Sequence, residues 1–178
     1  MSKTTQPGAA SKRRTKAIAP APPAVAPARA RAALSIRAVR HEDLDAVIEM
    51  DAMVTGIHKR DYWNSLYRRY AEAVATGHHF LVATADDEVI GFVIVEVRDW
   101  EFGSQPCGWV FAIDVRPDAR LMGAATQLLQ GICQRFRRAG VSKVRTLLAR
   151  ENTLILSFFR SQGMMISPFI PLEMDLEP

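Results

Sequence analysis

The chain has 178 residues, 48% of them hydrophobic, a length and composition that suit one domain with a sizeable buried core. Its net charge of +4 is unevenly distributed: residues 1–33 hold seven basic and no acidic side chains, whereas residues 34–178 hold 16 basic and 19 acidic ones. The folded part is therefore mildly acidic, which makes nucleic acid an unfavourable partner for it.

The two cysteines, Cys107 and Cys133, are far apart and form no C-x-x-C motif. This usage predicts free thiols in a reducing compartment and no metal site. No apolar run approaches the roughly 20 residues needed to cross a bilayer, and the N-terminus lacks the apolar segment of a secretory signal. The sequence therefore predicts a cytoplasmic protein without a membrane partner.

Residues 1–33 predict a disordered basic arm that precedes a folded domain at residues 34–178. The arm contains five of the ten prolines, eleven alanines and no aromatic residue. It therefore cannot bury enough apolar surface to offset the loss of chain entropy on folding. Two functional interpretations stay open, namely a basic tether for nucleic acid or another acidic surface, and an organellar transit peptide.

Hydrophobic periodicity predicts alternating strands and helices from residue 34 onward. The predicted order is strand, helix, helix, strand, strand, strand, helix, strand, helix, strand. This order predicts a mixed sheet with helices on its faces. The predicted segments are residues 34–40, 41–56, 59–77, 78–84, 88–98, 109–115, 117–140, 141–149, 152–163 and 164–178.

The strand at residues 109–115 is apolar on both sides, so we expect it to be central and covered by helices on both faces. Its only charged residue is Asp114. Strict alternation places Trp109, Phe111, Ile113 and Val115 on one side, and Val110 and Ala112 on the other.

The stretch VRPDARLMGAA follows this strand and opens the next helix. Pro117 cannot continue a ladder of hydrogen bonds, so the strand must end before it. Arg120, Gly123 and Ala125 then lie where the first helical N–H groups have no partner, and small residues let an anion approach the backbone. The stretch predicts a phosphate-binding turn, although the chain has neither a G-x-G-x-x-G motif nor a P-loop.

This turn resembles the pyrophosphate loop, Arg/Gln-x-x-Gly-x-Gly/Ala, of the GNAT superfamily of N-acetyltransferases, which bind acetyl-coenzyme A (acetyl-CoA). A second stretch, ENTLILSFFRSQGM, is similar to the family segment in which an Asn precedes a Phe-Tyr pair and a Gly-Phe pair. The resemblance covers residues 34–175. It implies an α/β fold of the α+β type, with a mixed, mostly antiparallel sheet of six to seven strands, helices on both faces and splayed central strands.

The resemblance also implies a cofactor site made largely of main-chain groups. Ile113 and Val115 would bond the pantetheine arm, and Asn152 would contact the cofactor across the splayed sheet. Phe159 would lie beside the cofactor, where many members have the tyrosine that protonates the leaving thiolate. The pyrophosphate would be bound by the amides of Arg120, Leu121, Met122, Gly123, Ala124 and Ala125.

Three side chains are candidates for catalysis. Glu96 is expected opposite Trp109, and burial at the end of the apolar row Ile90, Phe92 and Ile94 would raise its pKa toward the range of a general base. A glutamate facing water is the alternative. Asp114 is the second candidate, although a bond to neighbouring backbone or to Arg116 would also explain it. Ser157 is the third candidate, since Ser157, Ser161 or water could assist the leaving group in place of the missing tyrosine.

The start of the second helix is a further candidate region, because in this family it often borders the acceptor pocket. The residues are Arg60, Asp61, Tyr62 and Trp63, for which a solvated helix start with buried aromatic rings is the alternative.

The sequence thus predicts an N-acetyltransferase that uses acetyl-CoA to acetylate a primary amine of a small molecule or a protein. Direct attack in a ternary complex is expected, because no cysteine lies in the cofactor loop. A catalytically weak or inactive acyl-CoA-binding regulatory module is the alternative. It is favoured by Phe159 and by Trp109, since many members of the family have a glutamate early on the strand that begins here at Trp109. Nucleic acid binding through the arm is a second alternative, and a homodimer and the acceptor stay open.

Overall fold

The structure of the chain is a computed structural model. It describes residues 33–73 and 77–176. Apart from Ala33, the predicted arm at residues 1–33 lies outside the described residues. Within them, no helix is long and apolar enough to cross a membrane.

Five strands form one sheet in the order β1-β2-β3-β4-β5. Each strand pairs antiparallel with the next, except that β4 and β5 are parallel. The predicted fold class is confirmed, with five strands in the described part of the chain instead of six to seven. The strands are β1 (Leu34–Ala38), β2 (His79–Ala85), β3 (Glu88–Arg98), β4 (Cys107–Val115) and β5 (Val144–Thr146).

Four α-helices accompany the sheet, and a π-helix, Arg68–Glu72, extends the second one. The predicted helix at residues 59–77 stops earlier, because Ala73 already has extended backbone with ψ 129°. Three short 3-10 helices, His41–Asp43, Glu101–Gly103 and Pro117–Met122, complete the described elements. The α-helices are α1 (Leu44–Thr55), α2 (Arg60–Tyr67), α3 (Ala124–Arg138) and α4 (Thr153–Ser161).

Two predicted extended segments are shorter in the structure. Residues 141–149 form only the three-residue strand β5, and residues 164–176 form no strand. Pro168 and Pro171 explain the second difference, because a proline donates no hydrogen bond to a ladder. The prediction of a final strand is therefore wrong within residues 164–176.

Two apolar clusters cover the two faces of the sheet, as predicted. The first cluster joins α1 and α2 to one face through buried residues such as Ile48, Trp63 and Phe92. The second joins α3 to the other face through residues such as Val93 and Leu128, and it also contains residues of α4. The sheet is therefore the middle layer of three.

A β-bulge interrupts β4 at Phe111. Ala112 is opposite Ile94 and Val110 is opposite Val95, so Phe111 has no partner on β3. Val110 consequently packs in the α3 cluster, whereas Phe111 stacks on Tyr70, a member of the α1 and α2 cluster. The predicted strict alternation is wrong here because a bulge reverses the facing of every residue beyond it.

The sheet opens where β5 ends. β5 pairs with β4 only from Gly108 to Val110, and the last pair is Val110 with Thr146. The Thr146 hydroxyl donates to the Val110 carbonyl over 3.1 Å. Beyond this point, β4 has no neighbouring strand on the β5 side among the described residues, an opening that we call the fork.

We predict that Gly108→Ala lowers the free energy of unfolding by about 1–3 kcal/mol, because overpacking a core forces its neighbours to move. A Cβ at Gly108 would lie 2.3 Å from the ring of Phe136, which is buried. Urea denaturation of the purified chain measures the change.

Gly131→Ala is the matched control. Gly131 lies inside α3, and a Cβ there would meet its nearest atom at 3.6 Å. Because alanine is the better helix former, this variant should gain roughly 0.5–1 kcal/mol. Equal effects of the two substitutions would contradict the packing of Gly108 against Phe136.

Candidate active site

The start of α3 presents unpaired backbone amides. The first helical bond runs from the Gln127 N–H to the Gly123 carbonyl over 3.0 Å, so the preceding amides of Ala124, Ala125 and Thr126 have no acceptor inside the helix. No side chain of the described residues caps this end. The helix dipole also favours negative charge there, so the arrangement suits a phosphate.

Gly123 forms the turn before these amides. Its φ is +82°, in the left-handed region that favours glycine, and a Cβ placed on it would meet no atom within 4 Å. The approach to the amides is therefore open. The predicted residues Arg120, Leu121 and Met122 belong to the 3-10 helix before Gly123, and all three side chains are exposed.

A cavity of about 480 Å³ lies beside this helix start, and we call it the α3-side cavity. It extends from Ala125 on α3 and Arg120 to the end of β4. Its lining is Val54, Ile113, Asp114, Val115, Arg120, Ala125, Asn152, Leu154, Ile155 and Phe158.

The backbone of β4 faces the fork at Ile113 and Val115. The Arg116 N–H donates to the Ile90 carbonyl over 2.8 Å, so residues 112, 114 and 116 face β3 and their neighbours face away from it. The Val115 N–H donates to Asp114 Oδ1 over 2.7 Å. That donor is therefore engaged, whereas the Val115 carbonyl and the backbone groups of Ile113 face the opening.

A second cavity, of about 340 Å³, lies on the side of α1 and α2, and we call it the α2-side cavity. Of the candidate region at the start of the second helix, Tyr62 and Trp63 line this cavity, whereas Arg60 and Asp61 do not. Five residues line both cavities, which therefore meet at the fork. The shared residues are Val54, Ile113, Asp114, Asn152 and Ile155.

Asp114 is the acidic side chain at this meeting point. Burial raises its pKa above the ordinary value, while the bond from the Val115 N–H and the charge of Arg120 act in the opposite direction. The nearby carboxylate of Asp51 adds to the increase. The expected bond to neighbouring backbone is present, yet Asp114 also faces both cavities.

Glu96 lies opposite Trp109 as predicted but lines neither cavity. It is 7% exposed and accepts hydrogen bonds from the hydroxyl of Tyr70, over 2.8 Å, and from Arg98. Burial acts to raise the pKa of Glu96, but the bonds from Arg98 and Tyr70 outweigh burial and the pKa is lowered. The expectation of a raised pKa is therefore wrong.

The predicted apolar row before Glu96 also needs correction. A bulge on β3 places Ile90 in the α3 cluster, on the opposite face from Phe92 and Ile94. Glu96 continues the row of Phe92 and Ile94 only.

The remaining predicted residues lie on or before α4. Asn152 lines both cavities, and its side-chain oxygen caps α4 by accepting from the Ile155 N–H over 3.2 Å. Ser157 is exposed and lines neither cavity. Phe159 is buried in the α3 cluster, and its neighbour Phe158 lines the α3-side cavity instead.

Sequence reasoning did not select several residues that line the α2-side cavity, among them Asp51, Val54 and Lys59. They lie at the end of α1 and just before α2. Their only signal was an acidic residue on a mainly apolar helix, which is too weak to indicate a site.

The chain belongs to the Acetyltransferase (GNAT) family, whose defining pattern matches residues 44–164. A search of curated proteins found no match. The cofactor of this family is acetyl-CoA, which confirms the cofactor prediction.

Solved structures share the fold. Aminoglycoside N-acetyltransferase AAC(6')-Iy in complex with CoA is 20% identical, with a TM-score of 0.72 over 83% of this chain and 98% of that one. Aminoglycoside 6'-N-acetyltransferase AAC(6')-Ih from Acinetobacter baumannii is 16% identical, with a TM-score of 0.68 over 82% and 100%. A transcriptional regulator from Bacillus halodurans C-125 is 15% identical, with a TM-score of 0.69 over 81% and 100%.

The residues present fit acetyl-CoA. The unpaired amides at the start of α3 suit its diphosphate. The Val115 carbonyl and the backbone of Ile113 suit the amide-containing pantetheine arm, and the α3-side cavity connects the two regions.

We predict that Gly123→Glu abolishes binding of coenzyme A to the purified chain, because the new carboxylate would stand in front of the α3 amides. Isothermal titration measures the affinity. Retained affinity would contradict a diphosphate site at the start of α3.

Gly140→Glu is the matched control. Gly140 follows the other end of α3, has φ +77°, and a Cβ there would also meet no atom within 4 Å. The two variants therefore carry similar backbone strain and the same added charge, but only the change at Gly123 should affect coenzyme A.

Proposed function

We propose that this chain is an N-acetyltransferase that acetylates a primary amine by direct attack in a ternary complex, with Asp114 as the proton acceptor. The observation that carries the proposal is the position of Asp114, which lines both cavities where they meet at the fork. The membership of the chain in the GNAT family and the fit of its residues to acetyl-CoA support the acetyltransferase part of the proposal.

Acetyl-CoA, when bound, supplies an acetyl thioester whose C–S bond breaks as the amine forms an N–C bond, with coenzyme A leaving as the thiol. The chain's own residues prepare the amine. Asp114 Oδ1 is fixed by the Val115 N–H, which leaves Oδ2 to take the proton that an incoming ammonium group must lose.

Two features support direct transfer. The cavities share lining residues, so both substrates can be present at once. Neither cavity is lined by a cysteine, since Cys107 is buried elsewhere and Cys133 lies on α3 away from both. A covalent acyl-cysteine carrier is therefore not part of the proposal.

A regulatory module that binds an acyl-CoA without turnover is the second candidate. Phe159 carries no hydroxyl to protonate a leaving thiolate, and this observation favours it. Cofactor-dependent thermal stabilisation without thiol release, over a panel of amines, would support this candidate over the enzyme.

We predict that Asp114→Asn lowers kcat/KM for the amine by roughly 10²–10⁴-fold, the usual contribution of a general base. In the unsubstituted chain, kcat/KM should fall as the pH drops through the raised pKa of Asp114, because the carboxyl group then holds its proton. This acidic limb should be absent in the variant. Steady-state thiol release across pH measures both effects.

Glu96→Gln is the matched control, because it also neutralises a buried carboxylate on the same face of the sheet. It should keep the acidic limb. If it removes that limb while Asp114→Asn retains it, the proton acceptor is Glu96 and the assignment to Asp114 fails.

Stability provides an independent check. A carboxyl group whose pKa is raised by folding destabilises the fold when it is charged, and this penalty disappears as the pH falls through the folded-state pKa. Asp114→Asn should therefore be at least as stable as the unsubstituted chain near pH 7, so lost activity cannot be attributed to unfolding.

A further inference from the structure

Among the residues that the structure describes, one charged side chain in the lining of the α2-side cavity lacks an ion-pair partner. Its charged residues are Asp51, Lys59 and Asp114. The carboxylate of Asp51 accepts from Lys59 Nζ over 2.9 Å and from Trp63 Nε1 over 2.9 Å, so Asp51 and Lys59 neutralise each other. Asp114 has no ion-pair partner within the described residues. The cavity therefore offers one carboxylate to a cation.

The rest of the lining includes large apolar side chains that remain exposed. Val54 is 67% exposed, Leu147 68% and Phe111 45%, and all three line this cavity. The ring of Tyr62 lies at the same opening. Exposed apolar side chains gathered around one opening indicate a ligand with an apolar part.

Phe111 forms part of the wall of the α2-side cavity, and its ring is held in position by its neighbours. The bulge in β4 turns Phe111 toward α2, where its ring stacks on Tyr70 with centroids 6.1 Å apart and an interplanar angle of 13°. The Tyr70 hydroxyl donates to Glu96 over 2.8 Å, and Arg98 also donates to Glu96. Glu96 therefore acts as a positioning residue for this wall.

We propose that the acceptor is a monoamine with an apolar body, an arylalkylamine or alkylamine, and that its body lies against Phe111 and Leu147 while its amine meets Asp114. This inference rests on the proposed function and names the acceptor class of the same site. A sugar with several ammonium groups could pair one of them with Asp114. The other ammonium groups would lie against apolar side chains without a carboxylate partner, which costs free energy. The chain then differs in acceptor from the aminoglycoside N-acetyltransferases that share its fold.

The test compares phenethylamine and hexylamine with neamine, each with acetyl-CoA and the full chain, by steady-state thiol release. We expect kcat/KM for the two monoamines to exceed that for neamine by at least about tenfold, the lower end of the discrimination that an apolar pocket provides. A preference for neamine overturns this inference and leaves the proposed function standing. Binding of coenzyme A without turnover of any of these amines overturns both.

Two variants locate the apolar body. Phe111→Asp should lower kcat/KM for phenethylamine at least about tenfold, chiefly through KM because ground-state binding is lost, and should narrow the gap to neamine. Leu147→Asp, at a more exposed position, should act in the same direction if Phe111→Asp fails to fold. Ile57→Asp is the control, since Ile57 is comparably exposed but lines neither cavity. Unchanged kinetics in both cavity variants would overturn the inference.

Discussion

The three-residue pairing of β5 with β4 is the constraint on which the site depends. Before the bulge, alternate residues of β4 up to Val110 direct their backbone groups to β5, as the bond from the Gly108 N–H to Lys143 shows. After the bulge, the outward set becomes Ile113 and Val115. The bulge therefore shifts by one residue the set of β4 backbone groups that face β5. A straight β5 could not keep its hydrogen bonds across this shift, and the pairing ends at Thr146. The bulge and the end of β5 thus occur at one level of the sheet and together produce the fork.

Two carboxylates on the same face of the sheet have opposite electrostatic environments. Burial acts to raise both pKa values. Glu96 receives hydrogen bonds from Arg98 and Tyr70, which stabilise its charged form, whereas Asp114 receives one backbone bond and lies near another carboxylate, Asp51. The side-chain donors Arg98, on the same strand, and Tyr70, on the π-helix, therefore keep Glu96 charged, whereas Asp114 has no side-chain donor among the described residues, which suits the proton acceptor proposed above.

Sequence reasoning predicted features that have local causes. The strands predicted at residues 78–84 and 88–98 are present as β2 and β3, and the turn between them contains two residues with positive φ, Asp86 and Asp87. The glycine before α3 lies where the motif indicated. It did not predict the bulge at Phe111, because a strand that is apolar on both sides carries no periodic signal that a bulge could break. The lowered pKa of Glu96 was not predicted either, because it depends on hydrogen bonds from Arg98 and from Tyr70, and Tyr70 is distant in sequence. Phe158 and Phe159 are adjacent on α4. The sequence could not show that Phe158 lines the α3-side cavity and that Phe159 is buried in the core, because this depends on how the helix packs.

In the proposed site, the groups that would hold the cofactor belong largely to the backbone, whereas those that would hold the acceptor are largely side chains. Backbone N–H groups at the start of α3 survive almost any replacement of the residues that carry them, provided that Gly123 keeps its left-handed conformation. The contacts of side chains such as Phe111 and Leu147, in contrast, are lost when these residues are replaced. If the proposal holds, substitutions could therefore change the acceptor that the site takes while its backbone contacts to the cofactor are retained.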